Sequence, residues 1–319
     1  MAADGEPIRI GVSSCLLGRG VRFDGGHKRD AFLTDTFGRF VEWVPVCPEV
    51  ELGLGVPRKT LHLEREGDDL RLVENGTDRD LTAAMRRFAA RRSRELGEED
   101  LCGYVLKSRS PSCGMERVKV RDARGGPAPG GRGIFAAGLI EAFPELPVEE
   151  EGRLCDPVLR ENWVERVFAY RRLRALFAGR WTRGQVVAFH TSHKLQLMAH
   201  SPEAYRALGR LVADLRSLPR ADFRERYARD FMRALTLRAS RGRNANVLQH
   251  MAGHLRDGLD AADRAELSEA IHDYRSGLLP LVVPVTLVRH HVRRQSVAYP
   301  QGQVYLEPHP KELMLRNHV

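Results

Sequence analysis

Along the first half of the chain, apolar residues come in short unbroken runs. In the second half they recur at helical spacing. The runs at 8–13, 43–46 and 103–107 predict buried strands, and Leu146-Pro147-Val148 predicts a last one. A helix is expected over 30–40, and a hairpin over 61–66 and 70–74 turned by Gly67-Asp68-Asp69. Thr77 or Asp78 is placed to cap a helix over 81–95. The glycine- and proline-rich stretch 125–133 reads as a loop before a helix over 134–143. Alternating strands and helices predict an α/β domain over residues 1–155, Rossmann-like with a mainly parallel sheet. From Asn162 onward, helices are expected near 160–178, 182–200, 203–215, 220–239, 244–259 and 261–276. The more apolar stretch 279–291 and an extended tail from Tyr299 follow. Residues 156–319 thus form an all-α domain, with no internal repeat.

The 319 residues are 42% hydrophobic and 29% charged, ordinary for a globular protein of two domains. Five cysteines, an odd number at wide spacing, do not form a secreted disulfide framework. Residues 1–6 lack the basic flank and apolar core of a secretory leader. The most apolar stretch, 278–288, is too short to span a bilayer and contains Pro280 and Pro284. A cytoplasmic, reducing location is expected. Charge changes the picture more. Residues 1–155 carry 24 Lys and Arg against 26 Asp and Glu, and residues 156–319 carry 27 against 16, so the halves hold −2 and +11. A polyanion is a natural partner for the second half. Arginine-rich codon usage is the bland alternative.

Candidate chemistry clusters at strand ends. Three predicted strands each deliver a cysteine just beyond their carboxyl end: Cys15, Cys47 and Cys113. In an open parallel sheet that edge binds ligands. Three convergent thiolates without a fourth suit either catalytic zinc or an iron–sulfur cluster with one open iron. The alternative is that each is a small buried hydrophobe, as expected for Cys102 and Cys155. Glu49, two residues past Cys47, is a candidate general base near the metal, or a helix-start carboxylate. Ser110 and Ser112 flank Pro111 just before Cys113, where hydroxyls orient substrate, relay a proton or cap a helix. Asp24 has the same choice between substrate contact and a turn. In the helical half, His190 and Lys194 are spaced to share a face, as are Asn246, His250 and His254. Arg289, His290, His291, Arg293 and Arg294 make a basic patch bordered by Tyr299 and Tyr305. Cations beside rings suit RNA backbone and exposed bases, and a solvated face is the alternative.

The motifs Ser14-Cys15-Leu16-Leu17-Gly18, Arg22-Phe23-Asp24-Gly25, Cys47-Pro48-Glu49, Pro57-Arg58 and Lys107-Ser108-Arg109-Ser110-Pro111-Ser112-Cys113-Gly114 resemble the thiouracil desulfidase family. The second half resembles a helical domain of unknown function. It does so through Phe189-His190-x-x-His193-Lys194, Leu197-Met198-Ala199-His200-Ser201, Asn246-Val247-Leu248-x-His250 and Pro280-Leu281-Val282-Val283-Pro284-x-Thr286-Leu287. The fusion is similar to bacterial desulfidases that remove 4-thiouridine from tRNA. The resemblance implies a [4Fe-4S] cluster on Cys15, Cys47 and Cys113, with Glu49 and Ser110 as the catalytic pair. It also implies tRNA carrying 4-thiouridine as partner, and Asp24 and Ser112 are expected at the substrate. His190, Lys194, His250, Arg289, Arg293 and Arg294 are then the expected RNA contacts. Three other readings stand beside it: a desulfidase of free thiouracil or thiouridine nucleotides, a metal-free RNA-binding protein, and a redox or sulfur-transfer enzyme using a cysteine persulfide.

Overall fold

The first strand, β1 (Ile8–Ser13), pairs in parallel with β2 (Val41–Val46), residue Ile8 opposite Val41 and Ser13 opposite Val46. The computed structural model describes residues 7–77, 79–122 and 124–319. Residues 1–6, on which the leader expectation rests, and Asp78 lie outside them. A short helix α1 (Pro48–Glu51) follows β2 directly, with Pro48 in its first turn, where a missing N–H costs nothing. The hairpin β3 (Leu61–Glu66) and β4 (Asp69–Glu74) leads to helix α2 (Thr82–Glu98) and strand β5 (Gly103–Leu106). Strands β6 (Val118–Arg121) and β7 (Pro127–Gly131), helix α3 (Ile134–Ala142) and strand β8 (Val148–Glu150) complete the α/β unit.

Among the described residues two four-stranded sheets result, in the orders β2-β1-β5-β8 and β4-β3-β6-β7. The first is parallel throughout, with the central strands β1 and β5 its most buried. Chain order reverses at β1: β2 is added on one side, β5 and β8 on the other. Such a switch point leaves a crevice at the carboxyl ends of the central strands. Gly11 allows β1 and β5 to sit together, since a Cβ there would lie 2.1 Å from the buried Tyr104 ring. The second sheet is mixed. Its β7 strand corrects the loop expected over 125–133. Pro127 and Pro129 are tolerated because β7 is an edge strand.

Two more expectations are corrected. Residues 30–40 form no regular helix but a wide turn over Phe32–Thr36 followed by a tight one over Phe37–Arg39. Thr77 does not cap α2, because its hydroxyl binds Glu74. Instead the Asp80 carboxylate accepts from Thr82 N at 2.8 Å.

Contacts divide the chain into two compact units, Met1–Cys155 and Asp156–Val319. The second unit is helical: α4 (Pro157–Phe177), α5 (Arg183–Ser192), α6 (Lys194–His200), α7 (Pro202–Ala213), α8 (Arg220–Thr236), α9 (Arg241–Leu255), α10 (Ala261–Ser276), α11 (Val282–Gln295) and α12 (Ala298–Gln301). Side-chain caps mark five of its helix starts, at Asp156, Thr182, Ser201, Ser240 and Asp260. Its core holds two apolar clusters, one around Phe177, Trp181, Phe223, Tyr227 and Phe231, the other around Leu248, Met251, Ile271 and Val288. Pro284 sits in the first turn of α11, where it breaks no helical bond. The single helix expected over 182–200 is broken at His193. The tail after Tyr299 is coiled into short turns over Val304–Leu306, Lys311–Leu313 and Leu315–Asn317, not extended. Among the described residues no helix is long and apolar enough to cross a membrane.

Candidate metal centre and active site

The crevice at the β1 switch point is a cavity of about 320 Å³, and Cys15, Cys47 and Cys113 all line it. Cys15 lies in the turn Ser14–Leu17 directly after β1, and Cys47 directly after β2. Cys113 arrives on the loop after β5. That loop is braced from behind by the start of α3, where Ile134 N donates to Pro111 O and Ala136 N to Ser112 O. Gly133 makes the approach possible, since a Cβ there would lie 2.4 Å from Ser112 O. Arg109, at φ 59°, holds a left-handed conformation rare outside glycine, a local strain of the kind that collects at functional sites.

None of the three thiols is in a disulfide. Burial pushes Cys15 up to about 11, with the Cys47 thiol adding to it and Lys107 opposing it. Burial likewise raises Cys47 and lifts Cys113 far above the thiol range. Buried thiols that repel one another's charge call for a cationic partner before they ionise. Among the described residues no three His, Cys, Asp or Glu side chains form a group that could hold a metal ion. The three thiols nevertheless share one cavity. That arrangement fits a polynuclear cluster, where each thiolate meets its own iron, better than a single zinc. Of the remaining cysteines, Cys102 is buried as expected, whereas Cys155 is exposed, which corrects the expectation of a small core residue.

Glu49 lines the same cavity from α1, but not as an isolated carboxyl. Its Oε2 accepts from Arg58 Nε at 2.9 Å and Nη2 at 2.7 Å, and its Oε1 accepts from Ser112 Oγ at 2.9 Å. Arg58 is only 6% exposed and also donates to Gly55 O and Val21 O, so the fork is fixed. The two serines part company. Ser112 is fully buried and binds Glu49; it does not line the cavity. Ser110 lines it, and its Oγ accepts from the Ser112 and Cys113 amides at 3.2 and 3.0 Å. Among the described residues its own proton has no acceptor, so it is available to a molecule in the cavity. Asp24 stays off the wall: its carboxylate caps its own turn at Gly26 N, 3.0 Å, and faces Arg22.

Sequence reasoning gave no role to Arg58 or to a second charged group on the wall. Lys107 donates to Glu151 and to Ser108 Oγ, while Ser108 N and Oγ donate to Glu151 at 2.7 Å each. Of the cations on the wall, Lys107 is met by Glu151 and Arg22 by Asp24, and Lys28 has no ion-pair partner among the described residues. Adjacency to the Ser-Pro-Ser-Cys motif was the available signal for Lys107. For the Glu49 pair there was only Arg58 following Pro57.

In the helical unit, the expected RNA contacts fall into three environments. His190 is buried, bonded to Tyr227 OH at 3.1 Å and stacked on Tyr205. Lys194 starts a new helix, so the expected shared face with His190 does not exist on one helix. Its ammonium lies 5.3 Å from the Tyr299 ring centre, and His250 packs near the same ring. The arginines of the patch are paired: Arg289 and Arg293 both reach Glu307, at 2.8 and 3.2 Å, and Arg294 approaches Asp263 at 4.0 Å.

Residues 10–151 match the family described as 2-thiouracil desulfurase, and residues 194–310 match that described as protein of unknown function DUF1722. The uncharacterized protein YbgA of Escherichia coli (strain K12) is 33% identical over 153 residues, 48% of this chain and 90% of YbgA. A solved structure described as a [4Fe-4S]-dependent thiouracil desulfidase, TudS, is 31% identical, covering 46% of this chain and 93% of its own, with a TM-score of 0.38. By its first unit the chain belongs to the 2-thiouracil desulfurase family, and by its second to the DUF1722 family of unknown function.

Proposed function

We propose that the first unit hydrolyses the carbon–sulfur bond of a thiolated pyrimidine, and that the substrate is 4-thiouridine in tRNA, converted to uridine with release of hydrogen sulfide. The observation that carries the reading is the union of three thiols, Cys15, Cys47 and Cys113, with Glu49 and Ser110 around one cavity. The 31% identity to a [4Fe-4S]-dependent thiouracil desulfidase supports the same chemistry. Cys15, Cys47 and Cys113 are the residues to hold a [4Fe-4S] cluster. When bound, it supplies an iron without a protein ligand, a soft Lewis acid that binds and polarises the thiocarbonyl sulfur.

The chain's own residues supply the rest. Glu49, its carboxylate aimed by Arg58 and Ser112, takes a proton from water as that water attacks the ring carbon. Fixing the carboxylate in advance removes orientational cost from the step. Ser110 donates its free proton to the substrate on the cavity wall, and the unpaired Lys28 favours negative charge developing there. The sum, thiocarbonyl plus water giving carbonyl plus hydrogen sulfide, balances without an oxidant or reductant. That distinguishes it from a persulfide route.

The second unit carries the +11 share of the charge, which supports tRNA as the substrate rather than a free base. The test is anaerobic turnover of tRNA containing 4-thiouridine beside free thiouracil and a thiouridine nucleotide, without added reductant. Sulfide release only with a reductant would sink the hydrolytic reading. Turnover of the free base alone would remove the tRNA assignment.

A further inference from the structure

Lys194 and four ring side chains from three other helices of the second unit form one cluster. Tyr299 and Tyr205 present their rings at 5.3 and 6.0 Å from Nζ. His254 packs on Tyr299 with ring centres 4.9 Å apart, and His250 lies 4.9 Å from His254 and 6.4 Å from Tyr299. Among the described residues no carboxylate comes within ion-pair distance of Lys194. Burial, Lys194 and His254 hold His250 below its usual range, so its ring is neutral at pH 7. Two hydrogen-bonding atoms here, His250 Nε2 and Tyr299 OH, are buried and have no partner.

This differs from the arginine patch, whose charges are already met by Glu307 and Asp263. A cation without a counter-ion, two unused polar atoms and flanking rings call for a ligand both anionic and planar. Phosphate beside a base meets both requirements: the phosphate takes the ammonium and the polar atoms, and the base stacks on a ring. We propose that Lys194, His250 and Tyr299 form a phosphate subsite for an RNA strand, with the exposed His254 as a stacking surface. The proposal rests on the reading that the second unit binds tRNA.

The test uses the full chain and a fluorescent, unthiolated tRNA transcript, with affinity measured at several salt concentrations. Lys194→Gln loses one phosphate contact, so binding weakens about tenfold at 0.1 M salt and the log–log salt slope falls by about 1. Lys194→Arg keeps the slope. Tyr299→Phe retains the ring and loses only the hydroxyl, and binds about fivefold more weakly. Because Tyr299→Phe is nearly isosteric, it reads the site even if the lysine variant melts early. Wild-type affinity and slope in both Lys194→Gln and Tyr299→Phe would overturn the subsite while leaving tRNA binding intact. Absence of tRNA binding by the wild-type chain would overturn both readings. Displacement of the transcript by micromolar uridine 5′-monophosphate would assign the site to free nucleotides instead.

Discussion

In the first unit several polar side chains near the cysteines face a cavity, whereas in the second Glu165, His200, Glu161 and Arg316 are sealed inside the helical core. Glu49 and Ser110 stand on a wall open to a ligand. Glu165, by contrast, meets His200 Nε2 at 3.2 Å and Gln196 Nε2 at 2.9 Å, and Arg316 donates to Glu161 at 3.1 Å. Burial alone would raise the Glu165 carboxyl, but the His200 imidazolium beside it drags it down to about 2. Burial would lower His200, and Glu165 raises it above its usual value instead. Polar groups that satisfy one another in the core fix helix packing, and those left facing space are available for chemistry. A buried pair of this kind specifies more than it stabilises, because desolvation consumes much of the attraction.

The comparison breaks first at the cysteines. Cys47→Ser, purified anaerobically, should lose essentially all iron and acid-labile sulfide, while Cys102→Ser and Cys155→Ser keep theirs. Full iron content in Cys47→Ser would return the three thiols to the core-residue reading. Next in size is Glu49→Gln, which should retain the cluster and lose ~10²–10⁴-fold in turnover. Near-normal rates in a cluster-replete variant would leave Glu49 only a structural role.

In the sealed network the effect is on stability. Glu165→Gln leaves His200 without its counter-charge and should cost about 3 kcal/mol, less if His200 sheds its proton. The sign with pH follows from linkage. The lowered Glu165 contributes fully above its ordinary 4.5 and loses its contribution as pH falls toward about 2. The raised His200 contributes fully below its ordinary 6.5 and loses its contribution as pH rises through its folded value. Thermal melting should therefore separate wild type from Glu165→Gln most between about 4.5 and 6.5. A difference independent of pH would mean that the pair is not ionised.

The smallest effect is expected at the patch. Replacing Arg289, Arg293 and Arg294 together by alanine should flatten the salt dependence of tRNA binding by only about 1 unit, since Glu307 and Asp263 already offset part of the charge. A loss of about 3 units would make the arginines the main phosphate contacts and reverse their ranking against Lys194.

Much of this arrangement is legible along the chain. Unbroken apolar runs ending in Cys15 and Cys47 give the parallel strands and their ligand edge, because local periodicity records burial directly. Helical spacing gives the second unit, and the charge split gives its sign. The Pro-Ala-Pro-Gly-Gly strand β7 was hidden by its own composition, since its place at a sheet edge follows from its neighbours. The break at His193 also follows from packing: its ring is buried against Phe189 and Phe231. Ser112 meets Glu49 across 63 positions, and Arg289 meets Glu307 across 18. The sequence by itself determined which residue types reach the crevice. The tertiary structure decided which serine aims the carboxylate, which arginine clamps it and which cations keep their charge available, because each depends on groups brought together only when distant segments pack.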